Sequence, residues 1–319
     1  MISNNTGKNI IGILGSGFGL YGYLPAVASN RNISIVLSEK YRHKFDVRPE
    51  LAGFKENITW ADETTMFNQI NTLIVCLSPE DQFSSVIRAL TYPNIRYLSL
   101  EKPLAINPLK SNELLNELIK SGKYYRIGYS FQYTAWGKKL LNIFSDSSPH
   151  KIRIDWHFLA HHYAQNLKNW KRYNSTGGGI IRFYGIHLIA LLAHTRLCKI
   201  LSSTVTCYLD DEICKWRAVF EVNSIHTIEI DLDSTVFLKE FVVKAERKAG
   251  SNNRKFEINM NDPFDEYMLL SDPQDRRVNA VKPIFDSLME DDQQYYWNDI
   301  YKGVNLLWEQ IEAASISLA

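Results

Sequence analysis

A short apolar run that leads directly into a glycine-rich turn constrains this chain more than any other feature. Ile10-Ile11-Gly12-Ile13-Leu14 is followed by Gly15-Ser16-Gly17-Phe18-Gly19 and then by a helix-like stretch through Leu24-Pro25-Ala26-Val27-Ala28. An uninterrupted apolar run of this length suits a parallel strand buried on both faces. Gly15 permits the tight turn, and Gly17 lets the backbone approach a pyrophosphate. The exposed N–H groups at the helix start then hold the phosphate charge. Gly15, Ser16, Gly17, Phe18 and Gly19 are therefore candidate cofactor contacts. A strict G-x-G-x-x-G would place its third glycine at position 20, but Leu20 stands there and Gly19 comes one residue early. That shift predicts a helix seated slightly further from the sheet. A glycine turn without any ligand is the plain structural alternative.

The alternation continues along the first half. Ile33 to Leu37 and Leu73 to Leu77 read as further buried strands, and Ser85 to Leu90 as a helix. Arg96 to Leu100 is the next strand, and Leu109 to Ile119 is a helix ending before Gly122. Strand, helix and strand in this order predict a parallel, doubly wound sheet. The residues ending the second strand choose the cofactor: a carboxylate bonds the adenosine ribose, whereas small and basic residues admit a 2′-phosphate. Here Ser38 precedes Glu39, with Lys40, Arg42, His43 and Lys44 just beyond. Glu39 opposes a phosphate while Ser38 and Arg42 favour one, so NAD and NADP both stay open.

At 319 residues the chain suits two domains rather than one core. Lys and Arg (36) nearly cancel Asp and Glu (35), for a formal net charge of +1. No polybasic stretch or acidic tail breaks that balance, which argues against nucleic acid and anionic membranes as partners. The polar start, Met1 to Lys8, lacks the apolar stretch of a secretion signal, and the longest apolar stretches, such as Leu188 to Ala193, are too short to span a bilayer. Cys76, Cys198, Cys207 and Cys214 form no CxxC pair, so neither a metal site nor a disulfide framework is indicated. The expectation is a cytoplasmic protein with buried, reduced thiols.

A second motif closes the first half. The strand-like run Ile95 to Leu100 ends in Glu101-Lys102-Pro103, and Pro103 prevents it from continuing as a paired ladder. Lys102 is thereby placed at the carboxyl end of a sheet, where open α/β folds bind ligands.

Together with Gly177-Gly178-Gly179 and the following Gly185-Ile186-His187, these motifs resemble the Gfo/Idh/MocA family, the glucose–fructose oxidoreductase and inositol dehydrogenase group. Leu77-Ser78-Pro79 after a buried strand and Trp170-Lys171 ahead of the glycine triplet are similar to the family pattern too. The resemblance implies an α/β chain with an N-terminal Rossmann dinucleotide-binding domain, residues 1–128. It implies a C-terminal α+β domain, residues 129–319, with a large, open, mostly antiparallel sheet that serves substrate binding and oligomerisation. The implied activity is NAD(P)-dependent hydride transfer at a sugar or sugar derivative, nucleotide-linked sugars included. The implied assembly is a homodimer or homotetramer through the open sheet. Leu77, Ser78, Pro79, Gln82, Glu101, Lys102 and Trp170 join the cofactor candidates on the same ground, with Glu101 near the nicotinamide ribose.

The second half agrees independently. Ile152, Ile154, Trp156 and Phe158 alternate with polar residues, as do Trp216, Ala218, Phe220 and Val222, and then Ile228, Ile230 and Leu232. This is the pattern of half-buried strands, with Asp210-Asp211 and Asn223-Ser224 as turns. Strand following strand without intervening helices predicts antiparallel pairing.

Oxidising a secondary alcohol requires removal of its O–H proton as hydride leaves. A lysine can do this if burial and a nearby positive ring lower its pKa, or it can orient the oxygen if it keeps its proton. The resemblance gives that work to Lys102 and makes His187 its acid–base partner; a buried structural histidine is the alternative. The family places an aspartate four residues before that histidine, on one helical face, but Phe183 stands here. Arg182 and Tyr184 project in other directions and cannot simply replace it. Two readings follow. Either Lys102, His187 and Tyr184 serve a less polar or differently oriented substrate, or the chain is a non-catalytic NAD(P)-binding sensor or regulator. A reductase for an imine or a tetrapyrrole is a third alternative. His161, Lys171 and Phe183 complete the substrate-contact candidates. For His157, His161 and His162 an exposed or structural role is the leading expectation, since strand alternation removes the helical spacing that a metal pair would need. Near the C-terminus, Ile300, Val304, Leu307 and Ile311 have helical apolar spacing. Core packing is the preferred reading there, with docking on the first domain or a sister subunit as the alternative.

Overall fold

The computed structural model describes residues 9–28, 32–195, 197–247, 255–267, 277–290 and 293–318. Residues 1–8, whose polarity bears on secretion, lie outside them. Two compact units make up the chain: Met1–Leu104 with Asn116–Gly128 and Leu269–Gln294, and Ala105–Leu115 with Tyr129–Met268 and Tyr295–Ala319. Among the described residues no helix is long and apolar enough to cross a membrane.

The first unit is built on six parallel strands: β1 (Asn9–Leu14), β2 (Ile33–Ser38), β3 (Ile58–Ala61), β4 (Thr72–Val75), β5 (Tyr97–Leu100) and β6 (Tyr124–Ile127). Their order is β3-β2-β1-β4-β5-β6, so the winding reverses between β1 and β4. Ile11, Ile13, Leu37, Leu73, Ile74, Val75, Leu98 and Leu100 are fully buried, as strands covered on both faces require. The connections carry α1 (Leu24–Ala28), α2 (Arg42–Asp46), α3 (Glu63–Gln69), α4 (Pro79–Leu90) and α5 (Pro108–Ser121). Asp62 caps α3 by accepting from the Thr64 and Thr65 N–H groups at 2.9 and 3.0 Å. Gly122, with φ +66°, ends the path from α5 in the left-handed region.

One expectation is corrected here. The early third glycine does not push the helix off the sheet. The chain enters α1 through a π-helical turn, Gly19–Tyr23, and a Cβ on Gly19 would lie 3.1 Å from Ile13 Cγ2. Gly19 thus permits the close packing that position 20 provides in the strict motif. The remaining helix of this unit, α9 (Arg277–Glu290), is tied to β6 by the buried Arg126 guanidinium. That group donates to Ser287 Oγ at 2.9 Å and to the Ser287 carbonyl at 3.1 Å.

The second unit carries a seven-stranded sheet, from β7 (His150–Leu159) and β8 (Cys198–Cys207) through β9 (Ile213–Val222), β10 (His226–Asp233), β11 (Thr235–Arg247), β12 (Lys255–Met260) and β13 (Ile316–Leu318). The order is β12-β11-β7-β10-β9-β8-β13. β8, β9 and β10 pair antiparallel in succession, as the alternation predicts, but β7 and β10 run parallel. The sheet is therefore mixed. Asn223 and Ser224 turn from β9 to β10 with φ of +51° and +59°, the primed-turn conformation that matches strand twist. Trp216, Phe220, Ile228, Leu232 and Ile152 face the core. Over it lie α6 (Ala135–Phe144), the short α7 (His161–Ala164), α8 (Ile186–Leu192) and α10 (Gln294–Ala314), whose Ile300, Val304, Leu307 and Ile311 are all buried. All four cysteines are free thiols, with Cys214 buried.

Two imidazoles inside this unit are held neutral. Burial pushes His162 down to about 4, helped by the nearby Arg172 and Lys171 charges. Burial alone brings His194 to about 4. His194 Nε2 stands 2.6 Å from Gln132 Oε1 and Nδ1 stands 2.9 Å from the Tyr296 hydroxyl, so a neutral ring can donate to one and accept from the other. In the unfolded chain both rings titrate near 6.5. Their contribution to stability is complete above that pH and is lost as pH falls toward about 4, because only the unfolded chain takes up the protons. The thermal midpoint should drop between pH 7 and pH 5, and His194→Gln should flatten the dependence. A midpoint equal at both pH values contradicts this account.

Candidate active site

In the first unit the candidate residues gather at the carboxyl ends of the strands. Gly15, just after β1, has φ +119°, and a Cβ on it would meet the Cys76 carbonyl oxygen at 2.2 Å. Only glycine fits where the turns after β1 and β4 approach each other. The Gly15 N–H donates to the Tyr41 hydroxyl at 3.0 Å, which fixes the turn against the segment after β2. A Cβ on Gly17 would have no atom within 4 Å among the described residues, so its backbone faces open space. Phe18 lies against Gly22, where a Cβ would come within 2.1 Å of its ring, and the Arg277 guanidinium sits 5.0 Å from the ring centroid. On the β4 side, Ser78 caps α4, with its hydroxyl 2.6 Å from Asp81 Oδ2 and Pro79 in the first turn. Leu77 and Ser78 are half-buried.

Glu101-Lys102-Pro103 follows β5, with a cis Lys102–Pro103 peptide. A buried amide positions it. Gln82 Nε2 donates to the carbonyls of Glu101, Pro103 and Leu104 at 2.7, 3.2 and 3.1 Å, and Gln82 Oε1 accepts from the Glu101 N–H at 2.9 Å. Gln82 is fully buried, which corrects its expected role: it is a clamp on the Lys102 loop rather than a cofactor contact. The Glu101 carboxyl is raised by burial, an effect opposed by the Lys102 ammonium. Beside it lies Tyr23, fully buried, whose phenol is pushed well up by burial and by Glu101. Gly128, after β6, makes room for both groups, because a Cβ there would stand 3.3 Å from Glu101 Oε1 and 3.5 Å from the Tyr23 hydroxyl. Neither Tyr23 nor Gly128 is legible as part of this cluster in the sequence.

In the second unit the glycine triplet folds back on Trp170-Lys171. Gly177 and Gly179 have φ of +89° and +78°, and a Cβ on Gly178 would meet the Trp170 carbonyl oxygen at 2.2 Å. The chain then enters a π-helical turn, Ile180–Gly185, before α8. Phe183 lies in the π turn and His187 in α8, so the α-helical spacing that would put both on one face does not hold; such π turns recur at functional sites. Phe183 meets Trp170 edge-on at 5.3 Å and Tyr184 at 4.7 Å, and the Lys171 ammonium lies 5.3 Å from its ring centroid. Tyr184 also packs edge-on against Phe158 at 4.7 Å and Trp156 at 5.6 Å. His187 is buried and stacks on Phe131 at 4.5 Å, with Nδ1 3.5 Å from Ser130 Oγ.

Arg182 is structural: its Nε and Nη2 bind both carboxylate oxygens of Glu312 at 2.6 and 2.8 Å, while Nη1 donates to the carbonyls of Ile106 and Asn174 at 2.7 Å each. His162 is buried and His161 exposed. Asp155, His157 and Asp231 bring possible ligand atoms within 4.8 Å of one another. The two carboxylates already pair with Arg153 at 2.7 Å and Arg217 at 3.1 Å, so an ion-pair ladder on the sheet accounts for the cluster.

No family model matches the sequence, and no curated protein matches it. Solved structures do match the fold. KijD10, a 3-ketoreductase from Actinomadura kijaniata solved with NADP and TDP-benzene, has a TM-score of 0.70 at 10% identity, covering 98% of this chain and 99% of its own. GenD2 from gentamicin A biosynthesis, solved with NAD, has a TM-score of 0.72 at 13% identity, covering 96% and 94%. A super-repressor mutant of Gal80p from Saccharomyces cerevisiae has a TM-score of 0.70 at 11% identity, covering 97% and 95%. At these identities the likeness shows the fold: a Rossmann-like parallel-sheet unit and a mixed-sheet unit.

The clamp is directly testable. Gln82→Leu leaves buried polar groups of the Lys102 loop without partners and should cost on the order of 3 kcal/mol in denaturant unfolding. Equal midpoints for the two proteins would remove Gln82 from this role.

Proposed function

We propose that this chain is an NAD(P)-dependent oxidoreductase that moves hydride to or from a sugar or sugar derivative. The observation that carries the reading is Lys102, presented at the carboxyl end of β5 by the Gln82 clamp. Its strand is next to β4, which lines the point where the winding reverses, and open α/β sheets bind ligands at that point. The glycine turn fits a dinucleotide, since Gly17 leaves open space where a side chain would stand. Backbone N–H groups from Ser16 onward in the glycine turn would hold the pyrophosphate, with Leu77, Ser78, Pro79 and Glu101 along the rest of the cofactor. When bound, the nicotinamide ring gives or accepts hydride. The ligands named for KijD10 and GenD2 above, NADP with TDP-benzene and NAD, support the cofactor and the nucleotide-sugar class.

In the reducing direction the Lys102 ammonium donates a proton to the oxygen that becomes a hydroxyl; in the oxidising direction the neutral amine removes it. His187 is the second acid–base or orienting group, its ring fixed by Phe131 and Ser130. Phe183, Trp170 and Tyr184 offer an aromatic wall with Lys171 over it, a surface suited to the apolar face of a sugar. Assembly into a homodimer or homotetramer through the open sheet belongs to the same proposal.

One observation favours a second reading, a non-catalytic dinucleotide-binding regulator: the Phe183 position offers no carboxylate. Turnover of nicotinamide cofactor with a panel of sugars and nucleotide-linked keto sugars separates the two. Lys102→Ala and His187→Ala should each lower kcat about 100-fold or more. Variants as active as the parent protein would eliminate these roles, and dinucleotide binding without any hydride transfer would establish the regulator.

A further inference from the structure

This inference rests on the dinucleotide reading and concerns which dinucleotide is bound. We infer that the first unit selects NADP(H) over NAD(H), with Lys44 and Arg42 as the specificity-determining cations for a 2′-phosphate. The last residue of β2 is Ser38, 3% exposed, which cannot ionise to receive a ribose diol as a carboxylate does. The first carboxylate, Glu39, comes one residue later on a 3-10 turn, Glu39–Tyr41, and its Oε1 stands 3.2 Å from Arg42 Nη2.

Arg42 is itself oriented. Its guanidinium lies 5.1 Å from the centroid of the Trp60 ring, and Trp60, on the neighbouring strand β3, pairs with Leu37 of β2. The cation is therefore retained beside the end of β2 by the aromatic face as well as by Glu39. Both Arg42 and Glu39 are half exposed, so their ion pair can exchange readily for a phosphate.

Lys44 supplies the second contact. Its Nζ reaches Ser16 Oγ at 3.2 Å, bridging from the segment after β2 to the glycine turn after β1. An adenosine ribose in this fold lies between those two strand ends. The lysine partner is a neutral hydroxyl, and a phosphate oxygen there would make the stronger, charge-assisted bond. Tyr41 binds the Gly15 N–H from the same segment, so the cations are carried on backbone already pinned to the cofactor turn. Between positions 38 and 48 stand Lys40, Arg42, Lys44 and Arg48 against Glu39 and Asp46, four cations to two carboxylates, or +2. Lys40 is drawn to Glu63, and the Arg48 guanidinium lies over the Tyr21 ring at 5.4 Å, which leaves Arg42 and Lys44 as the pair for the ribose position. A neutral diol gains little from them, whereas a phosphate monoester of charge roughly −2 gains much.

Calorimetric or fluorescence titration of the full chain with NADPH and with NADH tests the inference. NADPH should bind about tenfold tighter or more. Lys44→Gln and Arg42→Gln should each weaken NADPH about tenfold while leaving NADH within about twofold, and Glu39→Gln should strengthen NADPH. Both cations are surface side chains, so unchanged thermal midpoints would show that the variants fold. NADH binding as tight as NADPH, or variants that weaken both dinucleotides alike, would overturn the selectivity while leaving the oxidoreductase reading intact. Failure of both dinucleotides to bind would instead overturn that reading, and this inference with it.

Discussion

The approach of two turns to within a backbone's thickness governs the first unit. Gly15 adopts a left-handed conformation hard against the Cys76 carbonyl, so the chain leaving β1 and the chain leaving β4 meet with no side chain between them. That contact fixes the crevice at the winding reversal. The other site features of this unit are placed by reference to it: Tyr41 bonds Gly15 from the β2 side, Lys44 reaches Ser16, and the capped start of α4 lies on the β4 side. Gln82, on α4, then carries the same rigidity one strand further to Glu101 and Lys102. Lys102 thus stands on backbone held at several points.

The second unit organises its candidates differently. A loop stitched by the Thr176 hydroxyl to the Trp170 and Tyr173 carbonyls, and by Arg182 to Glu312, delivers an aromatic cluster rather than a carboxylate. Phe183, Trp170, Tyr184 and Phe158 share edge-to-face contacts, the arrangement aromatic quadrupoles favour. A side chain that replaces an aspartate here does not leave a gap. It joins a wall with Trp170 and Tyr184.

Much of this was legible in the sequence where local patterns carry the signal. The glycine turn, the strand ending at Leu100, the alternating strands around Trp216 and Ile228, and the Asn223-Ser224 turn all lie where composition and periodicity put them. Features set by distant partners were not. The Gln82 clamp joins residues some 20 positions apart through backbone carbonyls, which leave no mark on residue identity. The parallel pairing of β7 with β10 brings together strands far apart in sequence, so neighbour-by-neighbour reasoning predicts only antiparallel pairs. The π turns at Gly19 and Ile180 are not legible because five or six residues cannot distinguish a π from an α period. β3 is four residues long with a single buried position, too brief for a pattern.

The central claim is that the crevice at the winding reversal holds a nicotinamide dinucleotide whose reactive end lies at Lys102. A crystal structure of the full chain with NADPH tests it most directly. The account predicts pyrophosphate density over Gly15 to Gly19, the nicotinamide beside Glu101 and Lys102, and the 2′-phosphate at Arg42 and Lys44. Dinucleotide bound elsewhere, or a nicotinamide turned away from Lys102, would contradict it.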